Sequence, residues 1–187
     1  MIPQLSPERL LGRHLLVTTL IFFAAFLIGM RLPASLREKA VEGYKAFAST
    51  YQGYSGVWLF SILSHNILVS SLVLLSGLLL GIFPILAMAT NGLLLGILFR
   101  HVGEISGYRK AALTVLPQWV LEIPALLIAV SYGLWLGVMA IRQIRGKEDT
   151  LFRYHIGYSF RRYLKVVLPL LVIAAGIETL LVIKIYK

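Results

Sequence analysis

The chain has 187 residues, of which 58% are hydrophobic and only 14% are charged, and its mean hydropathy is +0.83. Soluble domains contain about 45–50% apolar and roughly 25% charged residues, so this composition excludes a soluble globular protein and indicates a polytopic integral membrane protein. The formal net charge of +10 lies mainly in the connections between apolar segments, which predicts contact with the lipid bilayer and its anionic headgroups. No basic stripe with interleaved aromatic residues stands apart from these segments, so no nucleic-acid partner is expected.

Five apolar segments follow one another along a single domain that covers residues 1–187. They are predicted as membrane spans over residues 15–30, 57–80, 82–99, 111–141 and 166–185. The first could be taken for a signal peptide, but no small-x-small cleavage site follows it, so an uncleaved helix is expected. Only Gly81–Pro84 divides the second span from the third, which predicts a tight hairpin between antiparallel neighbours. The fourth is longer than the hydrocarbon layer requires, which predicts a kinked or partly interfacial helix.

Two polar connections carry most of the remaining sequence. Residues 33–50 have apolar positions at three-four spacing, typical of an amphipathic helix lying on the membrane, although a solvated loop fits as well. Residues 142–165 are interpreted as a basic loop. Five spans would leave nine Lys and Arg residues on each side of the membrane. The density of the basic loop then favours a cytoplasmic N-terminus in a multi-pass plasma-membrane protein.

Polar side chains recur within the apolar segments and form the candidate site. They are Asn66, Asn91, Gln118, Glu122 and Glu178. A charge at the bilayer centre costs roughly 2.5–3.5 kcal/mol on insertion scales, so the glutamates are expected to have polar partners or to be neutral hydrogen-bond donors. For the two asparagines, structural hydrogen bonds between helices are favoured over a polar pathway.

Prolines and glycines also recur within the apolar segments. The prolines predicted as helix kinks are Pro84, Pro117, Pro124 and Pro169. Pro117 and Pro124 would free backbone carbonyls that Gln118 and Glu122 could help to satisfy, which predicts a polar hinge. The glycines predicted to allow close helix packing are Gly77, Gly81, Gly92, Gly96, Gly133 and Gly137. Their spacing leaves open whether they join helices within one subunit or between two.

The sequence offers little support for an enzyme. There is no cysteine, which excludes disulfides, thiolate metal sites and a cysteine nucleophile. The four histidines lie in different segments without a metal-binding spacing, and no phosphate-binding or nucleophile motif occurs. We therefore expect no catalytic residue, no metal and no cofactor.

Four segments, in this order, resemble the stage II sporulation protein M family. They are HNILVSSLVLLSGLLLGIFP, NGLLLG, LPQWVLEIPALLIAVSYGLWLG and LPLLVIAAGIETLL, which extend from about His65 to the C-terminus. Gln118 departs from the pattern, because the family commonly has a histidine there, and the departure argues against a titrating or metal-binding role. The resemblance implies a five-span protein without known enzymatic activity. The family's namesake in spore formers resembles a scaffold for peptidoglycan-degrading partners, whereas relatives occur in prokaryotes that never sporulate.

Two functions of different classes follow from these observations. The first is a membrane scaffold or assembly factor of the cell envelope, expected to be a homodimer that recruits envelope protein partners through its loops. The second is a channel or transporter for an ion or small solute, whose route the intramembrane carboxylates and amides would line. Hydration of the polar side chains distinguishes them, because a scaffold needs no continuous wet path.

Overall fold

The computed structural model describes residues 7–49, 58–148 and 150–185. They form seven α-helices with a π-helical segment, Tyr163–Val167, between the last two. The helices are α1 (Pro7–Arg31), α2 (Ala34–Ser49), α3 (Trp58–Ser76), α4 (Ile82–Ser106), α5 (Tyr108–Ile144), α6 (Phe152–Arg162) and α7 (Leu168–Ile185). No strand occurs in these three ranges, and the predicted all-α membrane helix bundle is confirmed.

Among the residues that the structure describes, three stretches are long and apolar enough to cross a membrane. They are Leu11–Arg31, Ile82–Ser106 and Glu122–Ile144, and Leu63–Ser76 is a shorter apolar helix. Many of their large apolar side chains are exposed, including Leu16 and Leu20 on α1 and Leu86 on α4. A soluble protein rarely exposes apolar side chains along whole helices, whereas lipid solvates them without cost.

In the bundle, α1 and α4 run parallel to each other and α5 runs antiparallel to both. Phe22 meets Gly92 and Phe26 meets Gly96, so α1 and α4 run in the same direction. On α5, Ser131 lies beside Thr18 of α1, and Gly133 lies beside Pro84 at the beginning of α4. The bundle end that holds the beginning of α4, the end of α5 and α6 is called the α6 end. The opposite end, with α2 and the ends of α1 and α4, is called the α2 end.

Two apolar clusters form the core. One surrounds Trp135, Leu136 and Leu171 and joins α3, α5, α7 and the π-helical segment. The other surrounds Met88 and Val130 and joins α1, α3, α4 and α5. α5 contributes to both clusters, and its residues 129–137 are all buried. It is therefore the central helix of the bundle.

The turn between α3 and α4 differs from the predicted hairpin. α3 ends at Ser76, and residues 77–81 form the turn, in which Leu80 and Gly81 have φ angles of 61° and 77°. Pro84 lies in the first turn of α4, where a missing backbone amide removes no helical hydrogen bond. The expectation of a kink at Pro84 is corrected accordingly. Sequence reasoning placed the turn too late because the leucines of residues 78–80 extend the apolar run.

Residues 142–165, expected to be a basic loop, are largely helical. α6 has a buried face that includes His155 and Ser159, four residues apart, while its arginines lie on other sides. The high charge hides this buried face when the segment is read by composition alone. The π-helical segment follows, and Pro169 lies just beyond it. In a regular α-helix its ring would clash with the carbonyl of Lys165, four residues earlier, and the wider π-helical turn there gives room for the proline.

Two further predicted helices, α2 and α5, are present in the structure. α2 is a helix over nearly the predicted range, and it buries Arg37 and Val41. α5 continues without a break through Pro117 and Pro124, so neither proline ends the helix.

Candidate functional site

Glycines bring α1 and α4 into backbone contact. A Cβ atom at Gly92 would overlap the carbonyl oxygen of Phe22, and one at Gly96 would overlap that of Phe26. From the opposite side, a Cβ atom at Gly29 would overlap the carbonyl oxygen of Leu93. Only glycine allows helices to approach this closely, as in membrane helix pairs generally. Gly92 and Gly96 therefore pack within the chain.

A second glycine contact joins the 77–81 turn to α5. A Cβ atom at Gly77 would overlap the backbone of Gly133. At Gly137, a Cβ atom would lie 2.6 Å from the Gly81 nitrogen and 2.9 Å from the Gly77 carbonyl oxygen. The four glycines form a junction between two backbones, which we call the glycine junction. Here too the partners belong to the same chain.

Buried hydroxyl groups link the helices at two further places. Thr18, with no exposed surface, lies 3.3 Å from the Ser131 hydroxyl, so one of the two donates to the other, and the acceptor of that pair gives its own proton to a carbonyl of its own helix. The Tyr163 hydroxyl lies 2.8 Å from Ser70 Oγ, accepts a hydrogen bond from Ser71 at 3.0 Å and donates to the Ile67 carbonyl at 3.2 Å. Because these hydroxyls bond to one another and to helix carbonyls, burial leaves none of them unsatisfied.

Charged residues at the α2 end form an ion-paired group. Glu104 accepts from Arg37 at 2.7 Å and from Arg100 at 2.8 Å, while Arg100 also donates to the Met30 carbonyl. Arg37 is only 6% exposed. Since its partner lies on α4, this group attaches α2 to the end of the bundle.

At the α6 end, a histidine is buried among aromatic rings. The His155 ring is 5.0 Å from that of Trp135 and also contacts Phe152 and Tyr154. His155 Nε2 lies 3.7 Å from the Glu148 carboxylate, beyond hydrogen-bond distance, and neither ring nitrogen has a hydrogen-bond partner among the described residues. Burial lowers the pKa of His155, and the nearby Glu148 carboxylate opposes that shift. Burial therefore favours the neutral form of the His155 imidazole.

Arg142 is the second charged partner of Glu148. Its Nε atom is 3.4 Å from the other carboxylate oxygen, a charge contact without hydrogen-bond geometry. Arg142 and His155 thus share one carboxylate, which connects the end of α5 to α6.

The comparison with known families agrees with this architecture. The family model of stage II sporulation protein M matches residues 18–182, which is most of the chain. The chain belongs to the stage II sporulation protein M family. No curated protein and no solved structure matches it.

The segments that carry the family resemblance include both the glycine contacts and part of the hydroxyl network. HNILVSSLVLLSGLLLGIFP contains Ser70, Ser71 and the 77–81 turn, and NGLLLG contains the glycines that meet α1. The segment LPQWVLEIPALLIAVSYGLWLG contains Ser131 and the two α5 glycines of the glycine junction, Gly133 and Gly137. In this member of the family, these segments place the contacts that hold the helices together.

Two of the predicted polar residues, Asn66 and Glu122, lie at a similar depth in the bundle. Gly77, directly after the end of α3, lies beside Gly133 of α5, and the two helices run in the same direction. Counting back eleven residues along each helix places Asn66 and Glu122 at roughly the same level. From the Thr18–Ser131 pair, the antiparallel register places Glu122 level with Leu27 of α1. Glu122 is therefore about 6 Å along the axis from the level of Arg31, in the half of the bundle nearer the α2 end.

Asn91 does not join the predicted cluster. Its side chain is exposed and donates to the Ala87 carbonyl one turn earlier at 2.8 Å. This local hydrogen bond satisfies the amide without a partner helix. The side chains of Gln118 and Glu178 lie outside the described ones, so their predicted roles stay predictions.

Sequence reasoning missed Thr18, Ser131, Tyr163 and His155 as contact residues. Tyr163 and His155 belong to the segment interpreted as a loop, and a hydroxyl in an apolar run carries little hydropathy signal. Two features could have found Tyr163: its position beside the last apolar segment, and the Ser-Ser pair of α3 as a possible partner. The pairing itself depends on the tertiary fold.

Proposed function

We propose that this chain is a non-enzymatic scaffold or assembly factor of the cell envelope that recruits partner proteins at the membrane. The observation that carries the proposal is the closed packing of the bundle. Glycines place backbones in direct contact at both the α1–α4 pair and the glycine junction. The Thr18–Ser131 and Ser70–Tyr163 hydroxyl pairs also join helices inside the bundle. Such packing supports a rigid platform, because no element has to move for it to present a surface.

The proposed topology has five crossings, formed by α1, α3, α4, α5 and α7. The direction of α1 and the position of α6 support an arrangement in which α6 and the N-terminus share the cytoplasmic side. The dense basic residues of α6 favour that side, as positive loops generally do. α2 then lies at the outer surface, where envelope partners are accessible.

α2 is the proposed recruitment element. The Arg37–Glu104 pair fixes it to α4, while Leu36 and Tyr44 remain 53% and 38% exposed. A fixed helix with exposed apolar side chains offers a surface that a protein partner can cover. A homodimer is also proposed, and it would use a surface other than Gly92, Gly96, Gly133 and Gly137, because those glycines already pack within the chain.

Transport of an ion or small solute is the second candidate. The observation that favours it is the shared level of Asn66 and Glu122 on neighbouring helices. A carboxylate and an amide at one depth could line a route through the bundle.

Flux through proteoliposomes separates the two candidates. The native protein, Glu122→Gln and Glu178→Gln are reconstituted, and influx of protons, potassium, sodium and small organic solutes is followed with entrapped indicators. A scaffold gives the same flux as empty liposomes for all three proteins. Flux in the native protein that either glutamine variant abolishes would overturn the scaffold proposal.

Cross-linking in intact membranes tests recruitment directly. We expect envelope proteins to be cross-linked to the native chain and to be lost with Leu36→Ser/Tyr44→Ser. The matched control is Leu86→Ser/Ile85→Ser, which changes exposed apolar residues on α4. Equal loss in both double variants would contradict a recruiting role for α2, and size-exclusion chromatography with light scattering would report the oligomeric state of each.

A further inference from the structure

α6 has an outer face whose chemistry the scaffold function does not require. His155 and Ser159 point into the bundle and are 6% and 1% exposed. On the opposite side, Arg153, Tyr154 and Arg161 are exposed, and Phe160 is exposed beside them. Hence one helix that is only 11 residues long carries an anchored inner face and an outer face of arginines and aromatic rings.

Gly157 lies at the centre of this outer face. Arg153 precedes it by one turn and Arg161 follows it by one turn, so the two arginines flank a position without a side chain. A Cβ atom at Gly157 would meet only the guanidinium of Arg161, at 4.0 Å. The Arg161 side chain therefore extends back toward Gly157, whereas Arg162 extends over the Tyr158 ring at 5.5 Å from its centroid. We call this gap between two arginines the Gly157 notch.

The charge around the Gly157 notch is strongly positive. The exposed cations of this end include Arg145, Lys147, Arg153, Arg161, Arg162 and Lys165. Within the described part of the chain, Glu148 is occupied by Arg142 and His155, and neither arginine of the notch takes part in an ion pair. Two guanidinium groups on one face thus remain available to an anion with several acceptor oxygens.

The position of the Gly157 notch along the chain matches the lipid headgroup layer. Arg161 precedes the apolar run that begins at Val166 by five residues, about 7.5 Å along a helix. Headgroup regions extend roughly 5–8 Å beyond the hydrocarbon core on each side. Tyr154 and Phe160, beside the arginines, are aromatic side chains of the kind enriched at that boundary.

We propose that the Gly157 notch binds the phosphate headgroup of one anionic phospholipid, with Arg153 and Arg161 donating to the phosphate and the aromatic rings contacting the glycerol and upper acyl region. Only the flexible end of the Arg161 side chain lies near the space over Gly157, so the headgroup can enter between the two guanidiniums. Bound lipid would hold α6 against the membrane beside the beginning of α7. The proposal does not rest on the scaffold function, because it needs only that the chain lies in a bilayer.

Native mass spectrometry of the full chain in an uncharged detergent tests the notch. The protein is titrated with phosphatidylglycerol, and lipid-bound and lipid-free species are counted at each concentration. Each basic residue near an anionic lipid surface contributes roughly fivefold to affinity, so Arg153→Gln/Arg161→Gln is expected to weaken binding of the first lipid by about 25-fold. The matched control Lys39→Gln/Lys45→Gln removes the same charge from exposed positions on α2 and is expected to leave binding within twofold.

Gly157→Leu provides an independent variant, because it fills the notch without changing the charge. It also raises helix propensity, so the fold is retained. Weaker phosphatidylglycerol binding in this variant supports the notch, and unchanged binding overturns it. If Arg153→Gln/Arg161→Gln and Lys39→Gln/Lys45→Gln weakened phosphatidylglycerol binding equally, the attraction would be diffuse. That result would overturn the proposal of a specific site at the notch. Equal affinity for phosphatidylcholine, or displacement of the lipid by inorganic phosphate at equal concentration, would overturn an anionic phospholipid as the ligand.

Discussion

Gly137→Ala tests whether the glycine junction holds the bundle together. The added Cβ atom would lie 2.6 Å from the Gly81 nitrogen, 2.8 Å from the Leu80 carbonyl carbon and 2.9 Å from the Gly77 carbonyl oxygen. Favourable contacts between carbon and other heavy atoms lie at about 3.5–4.0 Å, so the two backbones must separate by close to 1 Å. All three neighbours are backbone atoms, which cannot rotate away as a side chain could.

The net cost follows from two opposing contributions. Overpacking a close contact typically costs 1–3 kcal/mol, and rigid backbone neighbours favour the upper part of that range. The alanine returns roughly 1 kcal/mol through its higher helix propensity. We therefore expect Gly137→Ala to lower the free energy of unfolding by about 1–2 kcal/mol, equivalent to roughly 2–8 °C in melting temperature for a chain of this length.

Gly176→Ala is the matched control, because a Cβ atom there meets nothing within 4 Å. It lies in α7 and is expected to be neutral or to raise stability by up to about 1 kcal/mol. Both variants are unfolded in mixed micelles with increasing sodium dodecyl sulfate, and helicity is followed by circular dichroism. If Gly137→Ala proved as stable as Gly176→Ala, the glycine junction would not limit the approach of α5 to the turn.

Three further perturbations test other contacts. Tyr163→Phe removes the hydroxyl shared by α3 and should cost about 0.6–1.7 kcal/mol of unfolding free energy, whereas Tyr154→Phe on the exposed face should cost nothing measurable. Burial lowers the folded-state pKa of His155, so its contribution to stability is fully present above its unfolded pKa of 6.5 and is lost as the pH falls through the folded value. A His155→Phe variant should therefore lose less stability than the native protein between pH 7 and pH 5, and an unchanged pH profile would refute this. Glu104→Gln removes the charge that pairs with Arg37 and should speed tryptic cleavage within α2, with no change expected for cleavage elsewhere.

The sequence could predict the fold class because lipid imposes strong rules on composition. Apolar runs near 20 residues indicated the helices, and the glycine spacing indicated close packing without naming partners. Hydropathy was a weaker guide at helix ends. The leucines of residues 78–80 continue an apolar run although they form a turn, and α6 is a helix although its charges suggested a loop.

The candidate site was less predictable than the fold. Glu122 and Asn66 were found because polar side chains are rare in apolar runs, and the structure places them at one level. Asn91 was grouped with them on the same grounds, but its amide is satisfied by the Ala87 carbonyl of its own helix. A sequence reports that a polar group needs a partner, and it does not report whether that partner lies one turn away or on another helix.

By itself, the sequence determined that this protein is an all-α membrane helix bundle, because apolar length and small-residue spacing are local properties of the chain. Its ordered motifs also resemble the stage II sporulation protein M family, and the family match confirms that resemblance. Only the tertiary structure decided that Gly92 and Gly96 meet α1 and that Gly133 and Gly137 meet the 77–81 turn. It also decided that Tyr163 reaches the serines of α3 and that Arg153 and Arg161 flank an open glycine. The first three depend on the register between helices, which residues distant in the sequence set together through backbone contact and shared hydrogen bonds. The fourth depends on which face of α6 is anchored to the bundle.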